Sequence, residues 1–234
     1  ILRHIRMKKK LYLFLRWSEK HTKTDMVYLG KGGFWLGLGQ AVSSLSSLLL
    51  AIVFANLLPP QIFGTYKFVL SLAAIIAIPT LSGLNTGLIR ALAQNHDGTI
   101  SRVVQLKLKW CSLAFLAGIL VSAYYFIHGD TTLAVAFCIA AAGVPAMEIG
   151  ELYGAILTGK KKFAELTRYD SLLYVITTIG LCGVLFFTHN LFALLLAYFV
   201  LWTVGRLLVF YRVRQAYAET NQAVSAESLS LGKH

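Results

Sequence analysis

Long apolar stretches alternate with short polar connections along this chain. The apolar stretches run about Phe34–Leu58, Phe68–Ala91, Cys111–Ile127, Thr132–Thr158, Ser171–Thr188 and Leu191–Tyr211. Each is close to the ~20 residues that a helix needs to cross a hydrocarbon core. The strand-like alternation of a membrane barrel is absent. Inside lipid, every backbone N–H and C=O must be satisfied within its own segment or a closed barrel. The pattern therefore predicts an all-α integral membrane protein. A six-transmembrane-helix bundle occupies residues 33–212, after a basic segment (1–32) and before a polar tail (213–234).

Composition agrees. Only 14% of residues are charged and the mean hydropathy is +0.66, whereas a soluble domain carries roughly 25% charge. The charge that remains is sorted. Arg3, Arg6, Lys8, Lys9, Lys10, Arg16, Lys20, Lys23 and Lys31 precede the first span. Arg90, Arg102, Lys107 and Lys109 gather between the second and third. Lys160, Lys161, Lys162 and Arg168 follow the fourth, and Arg206, Arg212 and Arg214 close the sixth. The alternate turns, around Pro59–Tyr66, His128–Thr131 and His189–Asn190, hold no base, and only Lys67 falls on their side. By the positive-inside rule the chain starts and ends in the cytoplasm. The net charge of +12 then serves topology and contact with anionic membrane lipids. No basic, aromatic-interleaved soluble domain is present to bind nucleic acid.

The two ends read differently. Lys8–Lys10 followed by Leu11–Leu15 imitates a secretory signal, but Arg16 cuts the apolar run short of the roughly 7–15 residues required. An interfacial segment on the cytoplasmic leaflet, with Tyr12 and Trp17 at the head groups, fits better. The chain begins with Ile1, and Met7 reads as its start. Gln215–His234 is polar and Ser/Ala-rich, and reads as a disordered tail or a truncated linker.

Chemistry is sparse within the spans. Gln40, Ser43, Ser44 and Ser47 share one helical face, extended by Gly37 and Ala51. That face is either a wall of a substrate cavity or a close-packing surface. Pro79 cannot donate to the carbonyl of Ile75, so a kink is expected before Gly83, Asn85 and Gly87. Pro145 likewise frees the carbonyl of Ala141. Glu148 and Glu151 follow one turn apart, near the positive end of the half-helix expected there. Carboxylates this close would interact, and one could hold a proton. Coupling or gating at Glu148, Glu151, Pro145 and Pro79 stands against an inner-interface pair satisfied by water or Lys160–Lys162. Arg90 and Arg206 are either snorkelling anchors or contacts for an anionic head group.

Other motifs are negative. Gly154–Lys160 imitates a phosphate loop, but Lys161 replaces the Ser or Thr and no strand precedes it. Cys111, Cys138 and Cys182 are too few and too scattered for a disulfide framework or metal set. His4, His21, His96, His128, His189 and His234 fall in loops or tails. No catalytic constellation, metal site or cofactor is expected, and the chain is not read as an enzyme. Without a nucleotide motor, any work must come from an ion or substrate gradient.

Two segments resemble a known family. Ala55-Asn56-Leu57-Leu58-Pro59-Pro60-Gln61-Ile62-Phe63-Gly64-Thr65-Tyr66 resembles the A-x-x-L-x-P-x-x-F-G-x-Y turn of polysaccharide flippases. Ser82-Gly83-Leu84-Asn85-Thr86-Gly87-Leu88-Ile89-Arg90 is similar to the G-L-x-x-x-L-x-R end of their second helix. The family is the O-antigen and teichoic-acid exporters, within the multidrug and oligosaccharidyl-lipid exporter superfamily. The resemblance implies that a polyprenyl-diphosphate-linked oligosaccharide is flipped across the bacterial inner membrane by alternating access. It also implies two six-helix lobes, of which this chain looks like the N-terminal one. A fragment, a truncation or a homodimerising half are all open. A missing C-terminal lobe or second copy would complete the path, and the single lobe is not expected to export alone. Gln40, Asn85 and Arg90 are then placed beside the polar part of the lipid-linked oligosaccharide. The competing functions are a multidrug or small-solute antiporter lobe, a non-transporting scaffold for glycan enzymes and a membrane-embedded glycan-processing enzyme.

Overall fold

The structure is a computed structural model and describes residues 26–231 apart from 82, 95 and 97. The interfacial segment expected before residue 26 lies outside the described residues. In chain order the elements are α1 (Met26–Leu57), α2 (Pro60–Ile76), a 3-10 turn (Ile78–Thr80), α3 (Gly83–Ala93), α4 (Thr99–Ile127), α5 (Thr131–Gly150), α6 (Leu152–Gly159), α7 (Phe163–Phe187) and α8 (Leu191–Leu231). Among the described residues there is no strand. Among the described residues six helices are long and apolar enough to cross a membrane: Gly30–Leu57, Pro60–Thr80, Thr99–Ile127, Thr131–Gly159, Phe163–Phe187 and Leu191–Tyr217.

Several boundaries move outward from the hydropathy pattern. The third span begins at Thr99 rather than Cys111, which carries Lys107 and Lys109 into the helix. A helix closes its backbone hydrogen bonds whatever its side chains carry, so a charge does not end it if the side chain finds a partner. The second span begins at Pro60, because proline fits a first helical position that has no intrahelical partner. It also stops earlier, at the proline break described below. The last helix continues to Leu231 where a disordered tail was expected. Ala, Glu and Gln are good helix formers there, and neither Gly nor Pro interrupts Gln215–Leu231.

Close approaches tie the helices together. A Cβ on Gly118 of α4 would lie 2.8 Å from the Cα of Ala141 on α5, so only glycine permits that contact. A Cβ on Gly159 would lie 2.8 Å from Leu92 Cβ, which seats α6 against α3. The phosphate-loop imitation thus contains a packing glycine, Gly159. Gly32 of α1 meets the Phe163 ring at the start of α7. The last two contacts gather ends that bear Lys and Arg, here called the inner end. Helix α5 is central: it packs on α4, α2 and α8. Helix α7 packs on α8 and α1, while α1 otherwise makes only slight contact with α2.

The buried apolar residues form two clusters. The outer one includes Phe54, Tyr66, Val69, Ala114, Phe137, Leu194 and Phe199. The inner one includes Leu88, Leu92, Val103, Ile156, Trp202 and Phe210. Large apolar side chains such as Phe34, Ile52, Leu120, Ile179 and Phe187 stay exposed around the bundle. An apolar surface of that extent suits lipid rather than water.

Candidate functional site

The seam between the two clusters is polar. On the second span Thr80 falls between Ile76 of the outer cluster and Leu88 of the inner one. On α4 Lys107 falls between Ala114 and Val103, and on the fourth span Glu148 falls between Val144 and Leu152. These three side chains meet.

Pro79 explains why the second span opens there. It donates no hydrogen bond and crowds the preceding turn. Helix α2 ends at Ile76, Ile78–Thr80 tighten into a 3-10 turn, and Leu81 turns left-handed with φ 55 and ψ 71. For a residue with a Cβ that conformation costs about 1–2 kcal/mol. Helix α3 restarts at Gly83. The expected kink is therefore a full break.

Lys107 is 0% exposed, and its ammonium lies 3.2 Å from Glu148 Oε2. It also donates to Asn85 Oδ1 at 3.1 Å, from the first turn of α3. Thr80 Oγ1 lies 3.0 Å from the same Glu148 oxygen and 2.7 Å from the Ala77 carbonyl. A hydroxyl carries one proton, so Thr80 serves one of these acceptors at a time. Cys111, one turn after Lys107, donates its thiol to the Pro145 carbonyl at 3.6 Å. Glu148 is 20% exposed and opens on a cavity of about 180 Å³ between α2, α5 and α8. The centre joins the break in the second span to α4 and α5.

A second pair lies nearer the inner end. Arg206 donates to Glu151 Oε2 at 3.1 Å, and its guanidinium sits 4.7 Å from the centre of the Trp202 ring. Gly150 makes this possible, since a Cβ there would lie 2.7 Å from Arg206 Cβ. Beside it Tyr153 donates its hydroxyl to Asp170 of α7.

The structure brings Pro79, Asn85 and Glu148 together and adds Thr80 and Lys107, which the sequence reading missed. It does not bring in Gln40, which is exposed on α1 and donates to Ser44 at 3.3 Å. Nor does it bring in Arg90, exposed at the end of α3. Pro145 departs from expectation: α5 runs through it to Gly150, so no new half-helix lends Glu148 a positive end. The two glutamates also part company. Glu148 pairs with Lys107 and Glu151 with Arg206.

Lys107 had a signal in the sequence. Val103, Lys107, Cys111, Ala114 and Gly118 fall three or four apart and are all buried. A lysine on such a stripe occupies a core position. Thr80 had no comparable pattern.

Comparison with known proteins gives one result. A family model described as polysaccharide biosynthesis protein matches residues 29–231. No curated protein and no solved structure matches the chain.

Proposed function

The chain belongs to the polysaccharide biosynthesis protein family, and from that membership we propose that it carries polyprenyl-diphosphate-linked oligosaccharide from the inner to the outer leaflet of the bacterial cytoplasmic membrane. It acts as a carrier and not as an enzyme. A second lobe, or a second copy, completes the path. The basic inner ends meet anionic lipid.

One observation supports transport above all: the fully buried Lys107 paired with Glu148 beside a broken helix. Replacing a buried ion pair by apolar residues of similar volume is often neutral or stabilising. Stability therefore does not account for the pair. A carrier, by contrast, needs an element with two arrangements inside the membrane. Here the segment Ile78–Leu81 is already outside the α-helix, and its Thr80 hydroxyl meets Glu148 of α5 through an exchangeable hydrogen bond. Moving Glu148 would return the Thr80 proton to the Ala77 carbonyl and release the Lys107 ammonium toward Asn85.

The test is translocation in proteoliposomes, using a two-lobed transporter that carries this lobe. Lipid-linked oligosaccharide should cross, and Lys107→Met should slow it by about tenfold or more, within the 5–150-fold range of ordinary site coupling. Efflux of cationic drugs with no glycan movement would assign the lobe to an antiporter instead.

A further inference from the structure

A separate cavity of about 230 Å³ lies where α1, α5, α7 and α8 converge. Six hydroxyl residues line it: Ser46 and Ser47 from α1, Tyr174, Thr177 and Thr178 from α7, and Tyr198 from α8. Two of its lining residues each hold a buried polar atom that has no hydrogen-bond partner. One is Thr177 Oγ1, on a residue only 4% exposed. The other is Nε of Arg206, whose Nη1 is committed to Glu151. An unpaired buried donor is costly to maintain, and two on facing helices are an unusual coincidence in one cavity.

We propose that this cavity binds one neutral pyranose ring, a single sugar unit of the glycan. The proposal rests on the carrier reading above. Size sets the first limit: the cavity is below the roughly 300 Å³ at which drug-sized sites begin, so it admits one ring and not an oligosaccharide. The lining sets the second. Serine, threonine and tyrosine hydroxyls each donate and accept, which matches the mixed donors and acceptors of a polyol. Charge balance sets the third. Among the described lining residues Arg206 is the charged one, and Glu151 already matches it at 3.1 Å. A uronate would bring a second, unmatched carboxylate, whereas a neutral hydroxyl satisfies Arg206 Nε–H without adding charge. Access follows from the fold. Helix α1 is held by α7 and hardly by its other neighbours, so the seam between α1 and α5–α8 leads in. Ser47 lines the cavity and shares its helical face with Gln40 and Ser44.

The experiment uses this chain in lipid nanodiscs free of sugar detergents. Saturation-transfer NMR would be recorded with methyl glucopyranoside, methyl galactopyranoside and methyl glucopyranosiduronate. The neutral glycosides should bind, the uronate at least fivefold more weakly. Thr177→Val, which keeps the shape and removes the hydroxyl, should weaken neutral binding about fivefold, as should Arg206→Lys, which keeps the charge and removes Nε. No binding by either neutral glycoside, uronate binding as tight as theirs, or unchanged binding by both variants would each overturn the proposal. Glycoside binding with no translocation by the two-lobed transporter would support the cavity while rejecting the carrier reading. Translocation without glycoside binding would reject the cavity alone.

Discussion

Lys107 shows how a single side chain can be expensive to alter alone and cheap to remove with its partner. Lys107→Met leaves Glu148 in the seam without its cation, with Thr80 as its remaining donor. Breaking a buried pair from one side costs about 3–5 kcal/mol. Chemical denaturation in micelles should therefore show a clear loss of stability. Asn85→Ala leaves the ion pair intact and removes one acceptor from the ammonium. Its cost should be smaller, about 1.5–3 kcal/mol for a hydrogen bond to a charged group. A stability equal to wild type in both variants would mean that water or another side chain serves Glu148 in the first and Lys107 in the second. At the second pair, Arg206→Lys keeps the charge facing Glu151 but gives up the planar group over Trp202.

At the scale of the element, the break in the second span and the close helix contacts make separate predictions. Leu81→Gly should stabilise the protein by about 1–2 kcal/mol, because glycine adopts the left-handed conformation without a Cβ clash. A loss of stability would mean that Leu81 packing outweighs its strain. Gly118→Ala should destabilise the α4–α5 contact by about 1–3 kcal/mol, because the new methyl meets the Ala141 backbone at 2.8 Å. Gly180→Ala meets only the tip of the Leu201 side chain, which can turn aside, so its melting temperature should stay near wild type. Hydropathy read these elements well where lipid or apolar neighbours surround them. It failed where a polar group is enclosed by its own partner. The third span lost its first turns to Lys107 and Lys109, because an average over residues cannot see that Lys107 is neutralised by Glu148 some 40 positions later in the chain. Pro79 was legible as a disturbance, but Pro145 looked the same in sequence and leaves α5 continuous. Only the surrounding packing separates them. Gln40 and Arg90 were placed beside the substrate on the strength of the resemblance, and both lie exposed outside this centre.

For the whole molecule, the alternation of charged and uncharged ends predicts a membrane orientation. Single cysteines at Lys67 and Lys162, in a cysteine-free background, should react oppositely with an impermeant maleimide applied outside cells. Lys67→Cys should label and Lys162→Cys should not. The reverse would invert the bundle and with it the direction of export. Within that frame the bundle has a helix, α1, held mainly by α7, and a polar seam between two apolar clusters. Transport is assigned to rearrangement at that seam. The most direct measurement is translocation of lipid-linked oligosaccharide by the double variant Lys107→Met, Glu148→Met in a two-lobed transporter carrying this lobe. Stability should match or exceed that of wild type, while translocation should fall by at least about tenfold. A double variant that is stable and still moves glycan at the wild-type rate would contradict the role given to the buried pair.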